Sequence, residues 1–133
     1  MFELLTGLNN LNIFNVPAKK GVSFKPGQLA VINSSGEAEP ADPAGHYAPW
    51  YVVFSDANEP AVQAAGTIAL MYGDMRIKTD NVVDDTYAPG DPLTIGTNGA
   101  LKKYDSANDS TPVVGYVEQV VDATNKVLIV RML

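Results

Sequence analysis

Residues Tyr87 to Tyr104, YAPGDPLTIGTNGALKKY, spell out a strand, a turn and a returning strand. Pro89-Gly90 closes the preceding loop. Leu93 and Ile95 alternate with Thr94 as a half-buried strand, and Thr97-Asn98-Gly99 supplies residues that tolerate positive φ. Leu101 then resumes the apolar face, with Lys102 and Tyr104 on the other. Earlier in the chain Pro26-Gly27, Leu29 to Ile32, Ser34-Ser35-Gly36 and Glu37-Ala38-Glu39 repeat this grammar. Setting Pro26 on Pro89 superposes Gly27 on Gly90, Ile32 on Ile95 and Gly36 on Gly99 without a gap. Two copies are too few for a solenoid, so the hairpins predict parts of one small barrel or sandwich.

The 133 residues fit one domain, which we divide into an N-terminal arm and first strand (1–17) and a single β domain (18–133). There is no cysteine, which removes disulfides, thiolate metal sites and cysteine nucleophiles. A net charge of −6 presents no basic footprint for nucleic acid or an anionic membrane. The opening MFELLTGLNNLNIF lacks a positive leader region, and no stretch is long and apolar enough to cross a bilayer. These features predict a protein kept in the cytoplasm or released from it by lysis.

Phe2, Leu4, Leu5 and Leu8 are interrupted by Gly7 and followed by Asn9-Asn10, which disfavours a helix. We expect either a disordered or sheet-capping terminus or an apolar arm that docks on a neighbouring subunit. LNIFNV (11–16) predicts a strand ended by Pro17, and EPADPAGHYAP (39–49) a long surface loop. WYVVFS (50–55) predicts a central strand, and Asn58 to Gly66 leaves room for at most one short helix. In Thr67 to Thr79 the apolar parity changes at Gly73, which predicts a bulge or sharp bend there. Val113 to Val121 and Lys126 to Leu133 form a last pair of strands that look apolar on both faces. Such strands need cover on each side. A double-layered sandwich or another subunit would supply it, and we favour the subunit.

No constellation for catalysis emerges. His46 is the sole histidine, no nucleophile elbow or glycine-rich phosphate loop occurs, and zinc lacks ligands. Asp84, Asp85, Asp91, Asp105 and Asp109 lie in loops without the spacing of a calcium-binding loop. We therefore assign no catalytic, cofactor or metal residues. The aromatic residues Trp50 and Tyr51 serve either core packing, the commoner role, or an interface, where Trp and Tyr are enriched. With Phe2, Leu4, Leu5, Leu8 and Leu11 they form the candidate interaction set.

GDMRIKTD (73–80), YAPGDPLTIGTNGALKKYD (87–105) and VVGYVEQVV (113–121) before a final apolar strand resemble the decoration, or cement, proteins of tailed-bacteriophage capsids. The likeness covers roughly the C-terminal half. It rests on the order and spacing of Thr79-Asp80, Pro89-Gly90-Asp91-Pro92-Leu93, Gly99 and Val114-Gly115-Tyr116-Val117. It implies a small β-barrel or β-tulip domain, commonly trimeric, that binds the outside of a virion head where capsomers meet. In such a protein, assembled in the host cytoplasm, the partner is the major capsid protein and the action is non-enzymatic. The alternative is a soluble ligand- or carbohydrate-binding β-barrel module using the 39–49 loop with Trp50 and Tyr51.

Overall fold

The repeated hairpins form where expected, but the strand expected to be half-buried is buried on both faces, with Leu93, Thr94 and Ile95 all enclosed, and the repeat extends far beyond them. The computed structural model describes residues 1–7, 11–55 and 66–133, so the short helix expected within 58–66 and the side chain of Leu8 lie outside the described residues. The described strands are β1 (Phe2–Gly7), β2 (Asn12–Pro17), β3 (Leu29–Ile32), β4 (Ala38–Pro40), β5 (Tyr51–Val53) and β6 (Thr67–Tyr72). They continue with β7 (Met75–Thr79), β8 (Pro92–Ile95), β9 (Leu101–Lys103), β10 (Gly115–Asp122) and β11 (Val127–Met132), with one 3-10 turn at Thr97–Gly99. They build two antiparallel sheets, ordered β1-β7-β11-β10-β8-β9 and β2-β6-β5-β3-β4. The fold is thus all-β and sandwich-like, and the described strands form no closed barrel.

The first order without its first strand repeats the second: β7, β11, β10, β8 and β9 correspond to β2, β6, β5, β3 and β4. Registers agree as well. Ile32 faces Ala38 as Ile95 faces Leu101, Asn12 faces Tyr72 as Met75 faces Met132, and Val53 faces Leu70 as Val117 faces Val130. Loop hydrogen bonds repeat too. The Gly27 N–H donates to the Val53 carbonyl at 2.8 Å and the Gly90 N–H to that of Val117 at 2.7 Å. Asp42 Oδ1 accepts the Ala44 N–H at 2.9 Å, and Asp105 Oδ1 accepts that of Ala107 at 3.0 Å. The chain is therefore two copies of one five-stranded unit, 12–72 and 75–132, plus β1. Each unit curls until the segment after its first strand bridges its last, Ala18 to Ala38 and Val82 to Leu101.

The units stack head to tail. The smaller core lines one face of the first unit with Ala30, Ala38, Val53, Ile68 and Leu70, covered by Phe24. The same face of the second unit carries Leu93, Leu101, Val117, Leu128 and Val130, which belong to the larger core. Opposite them in that core sit Leu29, Val31, Val52 and Met71, from the reverse face of the first unit. The five-stranded sheet of the first unit is thus apolar on both sides. On the second unit the residues equivalent to Val52 and Met71 are Tyr116 and Arg131, both exposed.

Three expectations change. The Thr67–Thr79 strand is two strands in different sheets, β6 and β7, and Gly73-Asp74 is the corner between them, Gly73 having φ 119°. The bend expected at that position is present, and parity switches because the chain changes layer. The last two strands do not bury both faces. The β10–β11 register slips between Val117 and Gln119 and again between Val120 and Asp122. These bulges turn Val117 and Val120, three residues apart, towards one core. Arg131 and Val121, at 42% exposure, face outward, so the preference for a subunit against this ribbon loses its basis. Finally, residues 2–7 form no free arm: they pair with β7 of their own chain as the sixth strand of the larger sheet.

Candidate interaction surface

The loop carboxylates are satisfied by neighbouring N–H groups rather than gathered around a common point. Asp91 Oδ2 accepts the Ala88 N–H at 2.8 Å and lies 3.4 Å from Lys103 Nζ. Asp105 takes Asn108 Nδ2 at 2.6 Å and the Ala107 N–H at 3.0 Å, and these bonds hold its carboxyl below the usual range. Asp109 accepts Lys102 Nζ at 2.6 Å, the main reason that its carboxyl is also lowered. Among the described residues no group of three His, Cys, Asp or Glu side chains could hold a metal ion. His46 is exposed on its loop. Burial pushes the Tyr87 phenol up to about 12, and its hydroxyl donates to the Val83 carbonyl, a structural role. A shallow polar depression of about 420 Å³, lined by Lys19, Ser23, Glu39, Asp42 and Asn98 among others, contains no aromatic wall.

The candidate interaction residues are dispersed by the fold. Phe2, Leu4, Leu11 and Trp50 pack on the larger core. Tyr51 packs on the smaller one, so adjacent Trp50 and Tyr51 serve different cores rather than one aromatic patch. Leu5, at 36% exposure, remains on the surface. Large apolar side chains that sequence pattern did not single out are more exposed: Ile13 at 49%, Tyr72 at 43% and Tyr116 at 42%. Ile13 and Tyr72 lie on the paired strands β2 and β6 at one margin of the smaller sheet.

Sheet margins are where an unpaired strand can recruit another, and natural proteins block them with charge, proline or a bulge. Three of the four margins are blocked in this way. The β1 margin carries Glu3 and a register shift between Leu4 and Thr6. Strand β4 carries Pro40 and Glu39, the latter 3.1 Å from Lys19 Nζ, and β9 carries Lys102 and Lys103. The fourth, β2, reads NIFNVP: apart from Pro17 at its end it has no blocking residue, no charge and no bulge, and it pairs with β6 in an unbroken register from Asn12 to Pro17. Phe14 stands on it in edge-to-face contact with Tyr51 and Tyr72, at centroid distances of 5.5 and 5.8 Å. The signal was legible in principle, as an edge-length strand without charge. Which strand would be marginal was not.

No protein-family model matches the chain, and no curated protein matches it significantly.

Proposed function

We propose that the chain is a non-enzymatic capsid decoration protein of a tailed bacteriophage. It binds the outer surface of the head and strengthens contacts between major capsid subunits. The observation that carries this reading is the order and spacing of four motif pieces that fall within one folded unit. Thr79 is fully buried and its Oγ1 accepts the Asn81 N–H at 3.0 Å. Gly90 and Gly99 hold φ of 92° and 72°. A Cβ on Gly115 would lie 2.7 Å from the Arg131 carbonyl oxygen. The pieces that carry the resemblance thus serve one fold together, which favours a likeness of whole units over four chance matches.

The chemistry of the surface suits such a role. Described loop polar groups are largely paired with one another, and apolar side chains such as Ile13, Tyr72 and Tyr116 are available for contact. Many identical weak contacts on a shell add up through multivalency. A ligand-binding module built on Trp50 and Tyr51 would require them to share one surface, and they pack on separate cores. The test is co-sedimentation of the purified protein with heads lacking it, prepared from the phage that encodes it. Saturable occupancy and heads more resistant to heat are expected. Absence of binding at micromolar protein overturns the reading.

A further inference from the structure

We propose that β2 is a strand-pairing site for a second copy of this chain, joining two smaller sheets into one continuous sheet across a two-fold axis. The internal duplication supplies the first ground. In the second unit the strand equivalent to β2 is β7, and its outer side is filled by β1 in antiparallel register, Phe2 opposite Thr79 through Gly7 opposite Met75. A strand therefore fits on this margin of the curled unit. In the first unit no strand occupies the equivalent place among the described residues.

The second ground is the missing protection. The other three margins carry charged residues, whereas β2 carries none, and before its terminal Pro17 the residues Ile13 to Val16 offer an uncharged template in unbroken register. Two chains of net charge −6 repel overall, and a neutral strip is where they can approach.

The third ground is self-complementarity. Antiparallel pairing of β2 with its own copy about Asn15 sets Phe14 opposite Val16 of the second copy, and Val16 opposite its Phe14. Asn15 then faces Asn15, and Ile13 faces Pro17. Phe14 and Val16 are half-buried on the face of the smaller core, so the pairing extends that core across the axis. The central amides can hydrogen-bond to each other, and cross-strand aromatic and β-branched pairs are favourable. An isologous contact of this kind closes on itself and gives a dimer.

The experiment compares wild type, Asn15→Lys and Asn15→Cys by sedimentation velocity and thermal melting. Wild type is expected to sediment as a dimer at tens of micromolar protein. Asn15→Lys places like charges face to face at the axis and is expected to sediment as a monomer and, since Asn15 is exposed in the single chain, to melt as the wild type does when diluted to monomer. Because the chain has no cysteine, oxidised Asn15→Cys is expected to run as a covalent dimer. Directly opposed Cα atoms stand about 4.5–5.5 Å apart, within disulfide reach. A monomeric wild type, a dimer that survives Asn15→Lys, or the trimer implied by the family resemblance would each overturn this inference. Binding to heads is measured separately by co-sedimentation, so the pairing can fail, even in favour of a trimer, while the decoration role stands, and the reverse.

Discussion

Gly99 lies so close to the Leu29 carbonyl oxygen that a Cβ added to it would stand 2.1 Å away. This is where the tip of the second hairpin seats on the opening of the first. The equivalent tip glycine of the first unit, Gly36, has a similar φ of 78° but nothing within 4 Å of an added Cβ. The pair separates backbone strain from collision. Gly36→Ala should cost only the left-handed penalty of about 1–2 kcal/mol, a fall in melting temperature of several degrees. Gly99→Ala adds a clash with backbone that no side-chain rotation relieves, and should lower the melting temperature at least twice as far. Equal shifts would mean that the hairpin tip can withdraw from Leu29 at no cost.

The same junction is held by Asn81, whose Nδ2 donates to the Gly27 carbonyl at 3.2 Å and the Gly99 carbonyl at 3.3 Å, with the residue only 4% exposed. Gln28 adds a bond from its Nε2 to the Asn98 carbonyl at 2.8 Å. Asn81→Leu leaves two carbonyls at the junction without this donor and should lower stability by about 1–3 kcal/mol. The check is urea unfolding at equilibrium, where the midpoint falls and the transition remains single. A midpoint equal to wild type would show that Gln28 alone secures the joint.

How far the fold could be read in advance follows from what the duplication constrains. Hairpins at 26–40 and 89–103 were legible because turns demand particular residues: Gly27 and Gly90 both take positive φ, as do Gly36 and Gly99. The remaining equivalences were not, because the two units present the same strand positions to opposite environments. Val31 faces the second unit and is buried among apolar side chains, whereas its counterpart Thr94 faces the 111–112 loop. Met71 and Arg131 differ for the same reason. Even a shared left-handed position is disguised, since Gly66 with φ 65° corresponds to Lys126 with φ 54°. The interaction set suffered likewise: apolar content in residues 1–11 was visible, but not that Phe2 and Leu4 would dock on their own β7. A strand's place at a sheet margin depends on pairings that no local pattern encodes.

That divergence carries its own prediction. Thr94 Oγ1 donates to the Pro112 carbonyl at 2.7 Å and lies 2.6 Å from Thr111 Oγ1; both threonines are buried. Thr94→Val restores the residue type found at the equivalent Val31, yet strands the Thr111 hydroxyl and the Pro112 carbonyl. It should destabilise by about 1–3 kcal/mol. Adding Thr111→Val removes one stranded group, so the double variant should lose less than the two single losses summed. A double-mutant cycle from chemical denaturation measures the difference. Simple additivity would mean that the two hydroxyls act independently.

The acid limb of stability should bear the mark of Asp109. Its Oδ1 is 2.6 Å from Lys102 Nζ and its Oδ2 accepts the Asp105 N–H at 2.7 Å. Those bonds, chiefly the one from Lys102, lower its carboxyl below the ordinary value. The folded protein therefore binds this proton less tightly than the unfolded chain does. Between the two pKa values the unfolded state holds more protons, so stability rises with pH across that window. The contribution is complete above the unfolded carboxylate value of about 3.9 and disappears as pH falls through the lower, folded one. Lys102 is 40% exposed, so salt should shrink the effect. Asp109→Asn abolishes the titration, and the stability gap between wild type and variant should be constant near neutrality and narrow below about pH 4. A gap that stays constant into strong acid would show that Asp109 works through hydrogen bonds indifferent to its charge.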